Sequence, residues 1–205
     1  MQPGKASNTE MADVKRLPKV VVPNMINGIN VDALFATIES VKAMPSIAKF
    51  KFRIRNQWAG ASQNISTIGR FYGAGQEMSR PKPFVLEADE PAILLGKDAA
   101  ANPVEHLLHA LAACLTTSMV YHAAARDIQI EEVESSLEGD IDLHGFLELD
   151  RNVRMGYQGI RVAFKIKANV PDEQLQAIVE LGTRHSPVFD SLTNGVSVSV
   201  SANRM

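Results

Sequence analysis

The stretch NPVEHLLHALAACLTTSMVYHAAARD, Asn102 to Asp127, constrains the chain more than any other. It opens with Asn102-Pro103, a side-chain cap followed by proline at the first helical position, where the missing N–H costs nothing. Glu105 lies in the first turn, at the positive end of the helix dipole, and Arg126 lies near the negative end. No glycine or proline interrupts the interior, so the stretch predicts one helix of roughly six to seven turns. Apolar and small residues cover nearly every azimuth, which predicts a helix enclosed on most sides. Its length and its histidines argue against a membrane span, which wants about 20 unbroken apolar residues. Cys114, the only cysteine, falls near its middle. At about 100° per residue it shares a face with Leu107, Leu111, Ser118 and Tyr121.

Composition serves mainly to exclude. A net charge of −2 without a basic run makes nucleic acid and anionic membrane poor partners. One cysteine permits no intrachain disulfide, which fits a reducing compartment, and the N-terminus lacks the apolar core of a secretory signal. A cytoplasmic protein is expected.

Residues 1–27 read as a tail, 28–48 as an N-terminal helical extension and 49–205 as the main domain. Asn30 caps VDALFATIESVKAM, with Val31, Leu34, Phe35, Ile38 and Val41 at helical spacing, and Pro45 ends it. From Lys49 the period becomes two, and KFRIRNQW predicts a strand with Phe52 and Ile54 half-buried. Asn64 to Phe71 reads as its hairpin partner. YGAGQE lacks the third glycine of a dinucleotide fingerprint and reads as a turn.

Phe84 to Glu87 reads as a short strand, and Ile130 to Leu143 as an exposed strand kinked at Gly139. Ile160, Val162, Phe164 and Ile166 alternate with basic residues in the clearest strand of the chain. Pro171 starts a helix that buries Leu175, Ile178 and Val179 and stops near Gly182. Ser186-Pro187 opens a last helical turn, and VSVSVSA closes as a strand. Helices and strands do not alternate strictly, so the class is α+β with antiparallel sheet.

The order of these elements, with NPxE opening a helix that contains AAC and a Ser-Pro-Val turn before the last strand, resembles the OsmC/Ohr family over roughly residues 50 to 202. The extension resembles a longer-chain subgroup, which makes 49–205 an OsmC-like domain. The resemblance implies an intertwined homodimer with long helices at its centre and active sites at the subunit interface. It also implies reduction of organic hydroperoxides or hydrogen peroxide: one cysteine attacks, a second resolves, and an arginine and a glutamate activate the first.

Cys114 matches the attacking cysteine. Ser186 stands where the second would be, so a sulfenic acid at Cys114 needs an external thiol reductant. Glu105 is similar to the helix-start glutamate, although the organic-hydroperoxide branch spaces it one residue further, at Val104 here. The arginine comes from Arg53, Arg55, Arg70 or Arg80, with Arg55 and Arg80 taken forward. Trp58, Phe71, Tyr121 and Ser186 are expected to line the substrate pocket.

Other chemistry is weaker. His106 and His109 form an HxxH pair, but no closed four-ligand set includes them, so neither metal nor cofactor is expected. His185 beside Ser186 is a poor nucleophile–base pair, because neighbours on a turn seldom face each other. Two readings stand: a one-cysteine thiol peroxidase, and a dimer that has lost catalysis and holds a small apolar ligand at its interface.

Overall fold

The computed structural model describes residues 23–204. Most of the expected tail lies outside the described residues. Its last part does not: β1 (Met25–Ile26) and β2 (Ile29–Asn30) form a small antiparallel hairpin, so the boundary expected after residue 27 falls inside a structural unit. Asn27 turns that hairpin in the left-handed region, at φ 52°, which asparagine tolerates better than most residues. Its side chain donates to Ile128 O at 2.9 Å and accepts from Ile130 N at 2.8 Å, pinning the hairpin to a junction a hundred residues away. Ile26 and Val31 complete the attachment by packing on Ala124. Replacing Asn27 by glycine keeps the backbone conformation and removes both bonds. At about 1 kcal/mol net per hydrogen bond, urea denaturation should show a loss of roughly 1–3 kcal/mol, with residues 25–30 losing amide protection first.

α1 (Val31–Ala43) starts where Asn30 accepts from Ala33 N at 3.0 Å, and a short 3₁₀ turn from Pro45 to Ala48 succeeds it. The three-stranded sheet comes next. β3 (Arg55–Gly60), β4 (Gln63–Gly73) and β5 (Gln76–Ala88) form an antiparallel meander in that order. Ala74 and Gly75, both at positive φ, make the two-residue turn between β4 and β5, so YGAGQE is a hairpin.

Two expectations fail here. The first strand begins at Arg55, not Lys49; Lys51 makes only an isolated bridge to Tyr72, and Phe52 and Ile54 are 69% and 60% exposed. The short strand at Phe84 is the end of a 13-residue one that passes through Pro81 and Pro83. It tolerates them as an outer strand beside a bulge between Ile68 and Arg70, where a missing N–H breaks no ladder bond.

The loop into the long helix is organised by Asp89, which is buried. Its carboxylate accepts from Ser62 Oγ at 2.5 Å, Glu90 N at 2.9 Å, and Lys97 N and Ala99 N at 3.2 Å each. The Ser62 hydroxyl first, and the backbone donors with it, hold Asp89 below the usual carboxylate range.

α2 (Pro103–Ala124) then runs 22 residues from a full capping box. Asn102 Oδ1 accepts from Glu105 N, and Glu105 Oε2 accepts from Asn102 N, both at 2.8 Å. By length and composition this helix could also cross a membrane, so length does not exclude a span. Its packing is that of a core helix: β6 (Ile130–Asp140), α4 (Asp172–Arg184) and α5 (Pro187–Thr193) lie against it. The expectation of enclosure on most sides is not met within the chain. One stripe is buried (Leu111, Leu115, Met119, Ala123), and the opposite stripe (Glu105, His109, Ala113, Thr117, Tyr121) is open.

β6 pairs antiparallel with β7 (Gly159–Ala168) through Gly139 without a kink. Gly139 is needed instead because a Cβ there would meet the Tyr157 ring at 2.5 Å. Between these strands, α3 (Leu143–Phe146) is a single turn. Met119, Ala123, Ile130 and Ile178 form the main core, with Phe164 and Ile166 of β7 packed on it. α4 ends at Arg184, two residues past Gly182 and so near it as expected, and Gly182 is also its contact point with α2. VSVSVSA is not a strand: alternation specifies its faces, but no described strand takes up its backbone groups, and Val200 is 91% exposed.

Candidate active site

Register divides the three-stranded sheet into two unlike faces. Trp58 pairs across to Asn64 and Ala88, Asn56 to Ser66 and Leu86, and Ile68 to Phe84, which puts Trp58, Ile68, Phe84 and Leu86 on one face. Arg55 opposite Thr67 and Val85, and Gln57 opposite Ile65 and Glu87, form the other. Most of the apolar weight is on the Trp58 face. Phe52 stacks on Phe71 at 5.6 Å between centroids, and Phe50 continues the row.

Onto this face comes one cation. The Arg80 guanidinium carbon lies 4.9 Å from the Phe71 ring centre and 5.2 Å from that of Phe84, and its Nη1 donates to Gly69 O at 3.1 Å. An arginine clamped by two rings and a carbonyl is fixed in place on an otherwise apolar face. Arg55 lies on the opposite face, along a groove shared with Arg53 and Arg70, and Arg53 is already committed to Glu77 by two bonds of 2.8 and 2.9 Å. The two arginines taken forward from sequence are thus separated by the thickness of the sheet. Trp58 is 73% exposed, its indole N–H donating to Ala61 O at 2.8 Å.

The thiol is elsewhere. Cys114 sits half-buried on α2, about 60° around the helix from Leu111, on a flank it shares with Leu107, Ala110 and Ser118. Tyr121 borders that flank from the open stripe. Ser186 is buried at 1% exposure, caps α5 by accepting from Phe189 N at 3.3 Å, and adjoins α2 through that helix. Glu105 is engaged in its capping box, about two and a half turns from Cys114.

The three-stranded sheet is not among the elements packed on α2; the hydrogen bond that ties it there runs between His106 Nε2 and Glu87 O at 2.9 Å. Within one chain the structure therefore brings together Arg80 and Phe71, and separately sets Cys114 and Tyr121 on adjoining flanks of α2, the helix on which α5 and its Ser186 cap pack. It does not bring the two groups to each other. Among the described residues no cluster of three or more His, Cys, Asp or Glu could hold a metal ion. Sequence reasoning missed Phe84, the second ring on Arg80. Its apolar strand pattern gave the signal for a buried face, but the cross-strand distance to Arg80 depends on the bulge.

These features define a class: an α+β protein with one long helix bearing a single mid-helix thiol, and a separate antiparallel sheet bearing an apolar, arginine-containing face. A family model described as OsmC-like protein matches residues 96–201, more than half of the chain, and the chain belongs to that family. Solved structures share the fold. An OsmC-like protein from Mycoplasma pneumoniae matches with 16% identity and a TM-score of 0.54, covering 74% of this chain and 94% of that one. A protein from Psychrobacter arcticus 273-4, named for osmotic stress induction and a detoxification response, matches with 15% identity and a TM-score of 0.52, covering 69% of this chain and 88% of that one. No curated protein matches the sequence.

Proposed function

We propose that this chain is a single-cysteine thiol peroxidase, acting on organic hydroperoxides or hydrogen peroxide as a homodimer with an external thiol reductant. The observation that carries the reading is the pairing of two incomplete halves: a lone thiol on α2 beside an open stripe, and an uncovered apolar sheet face holding one clamped arginine. A second copy laying its sheet over α2 completes both at once. Surface area supports that assembly. The chain exposes 16818 Å², against about 9,400 Å² for a compact monomer of its mass. Setting aside for residues 1–22, which lie outside the described residues, the roughly 3,500 Å² that unfolded chain of that mass would expose still leaves an excess of several thousand Å².

In the proposed reaction the Cys114 thiolate attacks the terminal oxygen of the hydroperoxide and the O–O bond breaks. The departing oxygen takes up the proton that the thiol released on ionising and leaves as the alcohol, or as water from hydrogen peroxide. Sulfur, oxidised by two electrons, keeps the terminal OH as the sulfenic acid. An external thiol displaces water to give a mixed disulfide, and a second thiol releases Cys114 and carries the disulfide away. Arg80 from the partner's sheet supplies the positive charge that favours the thiolate and the departing oxygen.

The alternative reading, a dimer retained for binding a small apolar ligand, has one observation in its favour: both Glu105 and Ser186 are used as helix caps. Sulfenic acid trapping separates the two. After cumene hydroperoxide or hydrogen peroxide, a dimedone-type probe should label Cys114 stoichiometrically and far faster than a free cysteine, and should not label Cys114→Ser. Labelling at the free-cysteine rate would leave only the ligand-binding reading.

A further inference from the structure

Three groups that carry or can accept positive charge converge where the last turn of α2 meets the end of α4. The rings of His122, on α2, and His185, the C-cap of α4, lie 4.7 Å apart between centroids and are tilted by 38°. Arg126 Nη1 stands 3.4 Å from His122 Nδ1 and donates to His122 O at 3.0 Å. A guanidinium can only donate, so the nitrogen that faces it must accept. That geometry fits His122 as the neutral tautomer, with its proton on Nε2.

We propose that the His122–His185 pair is an acid-sensitive clasp: neutral, it closes the end of α4 and the Ser186 turn onto α2, and protonated on both rings beside Arg126 it releases that corner.

His185 is exposed and His122 is half-buried, and a proton on each ring would place three cations side by side with His122 between the other two. Burial first, then the charges of His185 from α4 and Arg126 from the end of its own helix, hold His122 below the usual histidine range. No carboxylate from α4, α5 or β6 acts on it to compensate. Because the folded state disfavours the proton on His122, this contribution to stability is fully present above about pH 6.5 and is lost as pH falls below it. The element released begins at the residue next to His185, the buried Ser186, whose hydroxyl caps α5. This inference goes beyond the thiol chemistry and does not rest on it, since Cys114→Ser leaves the clasp intact.

Hydrogen exchange on the full chain tests it. Between pH 7.5 and 5.0, after correction for intrinsic exchange, protection of residues 183–193 should fall by about tenfold or more relative to β6 and β7. His122→Phe and His185→Phe keep an aromatic ring but cannot titrate, and should hold that protection within about twofold over the same range. Unchanged protection in the wild type, or an equal acid loss in both variants, overturns the proposal. Should a variant not fold, titration of the wild-type His122 ring by NMR decides. A midpoint below 6.5 that coincides with the loss of α5 protection is expected, and a midpoint at or above 6.5 overturns the clasp.

Discussion

Gly182→Val is expected to cost this protein about 3 kcal/mol or more, and Gly182→Ala roughly 1–2 kcal/mol, in urea denaturation at neutral pH. A Cβ at position 182 would stand 2.7 Å from Met119 Cβ, 2.9 Å from its Cα and 3.0 Å from its N, so the obstacle includes backbone and cannot swing aside. α4 therefore crosses α2 at a glycine. Two effects oppose each other in the alanine variant. Removing a glycine from the last turn of α4 gains at most about 1 kcal/mol of helix propensity, while overpacking costs about 1–3 kcal/mol. Overpacking wins because Met119, Ala123 and Ile178, all within 1% of full burial, form the same contact and leave no void to absorb the shift. Valine loses most of the propensity gain and adds two methyl groups. A stabilised alanine variant would mean that the crossing is looser than the distances indicate. The same shift would move the start of the Ser186 turn, so Gly182→Ala should also weaken α5.

How far the fold could be read in advance depended on whether its determinants were local. α2 was legible nearly to the residue because Asn102, Pro103 and Glu105 are start signals within four positions, and α1 because Asn30 caps it. β7 was legible because its alternation meets a core from the same chain. The failures share one cause. Phe52, Ile54 and the valines of VSVSVSA have the pattern of covered positions, but pattern states which face wants cover and not what supplies it. No part of the described chain does so.

Gly139 does not kink its strand, for a related reason. A kink and a close approach use the same residue, and only the neighbour's position, here the Tyr157 ring, separates them. Asn27 gave no local signal, because its partners lie a hundred residues on. At the site, Cys114 could be singled out as the chain's only thiol. The choice between Arg55 and Arg80 could not be made, since it turns on the register of β3, β4 and β5.

That choice yields the largest expected effect on activity. Arg80→Met should lower the second-order rate of peroxide reduction at pH 7 by about 10²–10³, the usual consequence of removing one preorganised donor at a developing charge. Arg55→Met, on the opposite face of the sheet, should change it by less than about twofold, because an exposed charge on the far side is screened by solvent. Arg80→Lys should recover only part of the rate, since a lysine cannot present a planar group to both Phe71 and Phe84 while donating to Gly69 O. Because the arginine and the thiol lie on different halves of the chain, mixing Cys114→Ser with Arg80→Met protomers should restore one intact site per heterodimer. Activity recovered on mixing would assign Arg80 to the partner's thiol. No recovery, with heterodimers formed, would place the two within one chain or remove Arg80 from the chemistry.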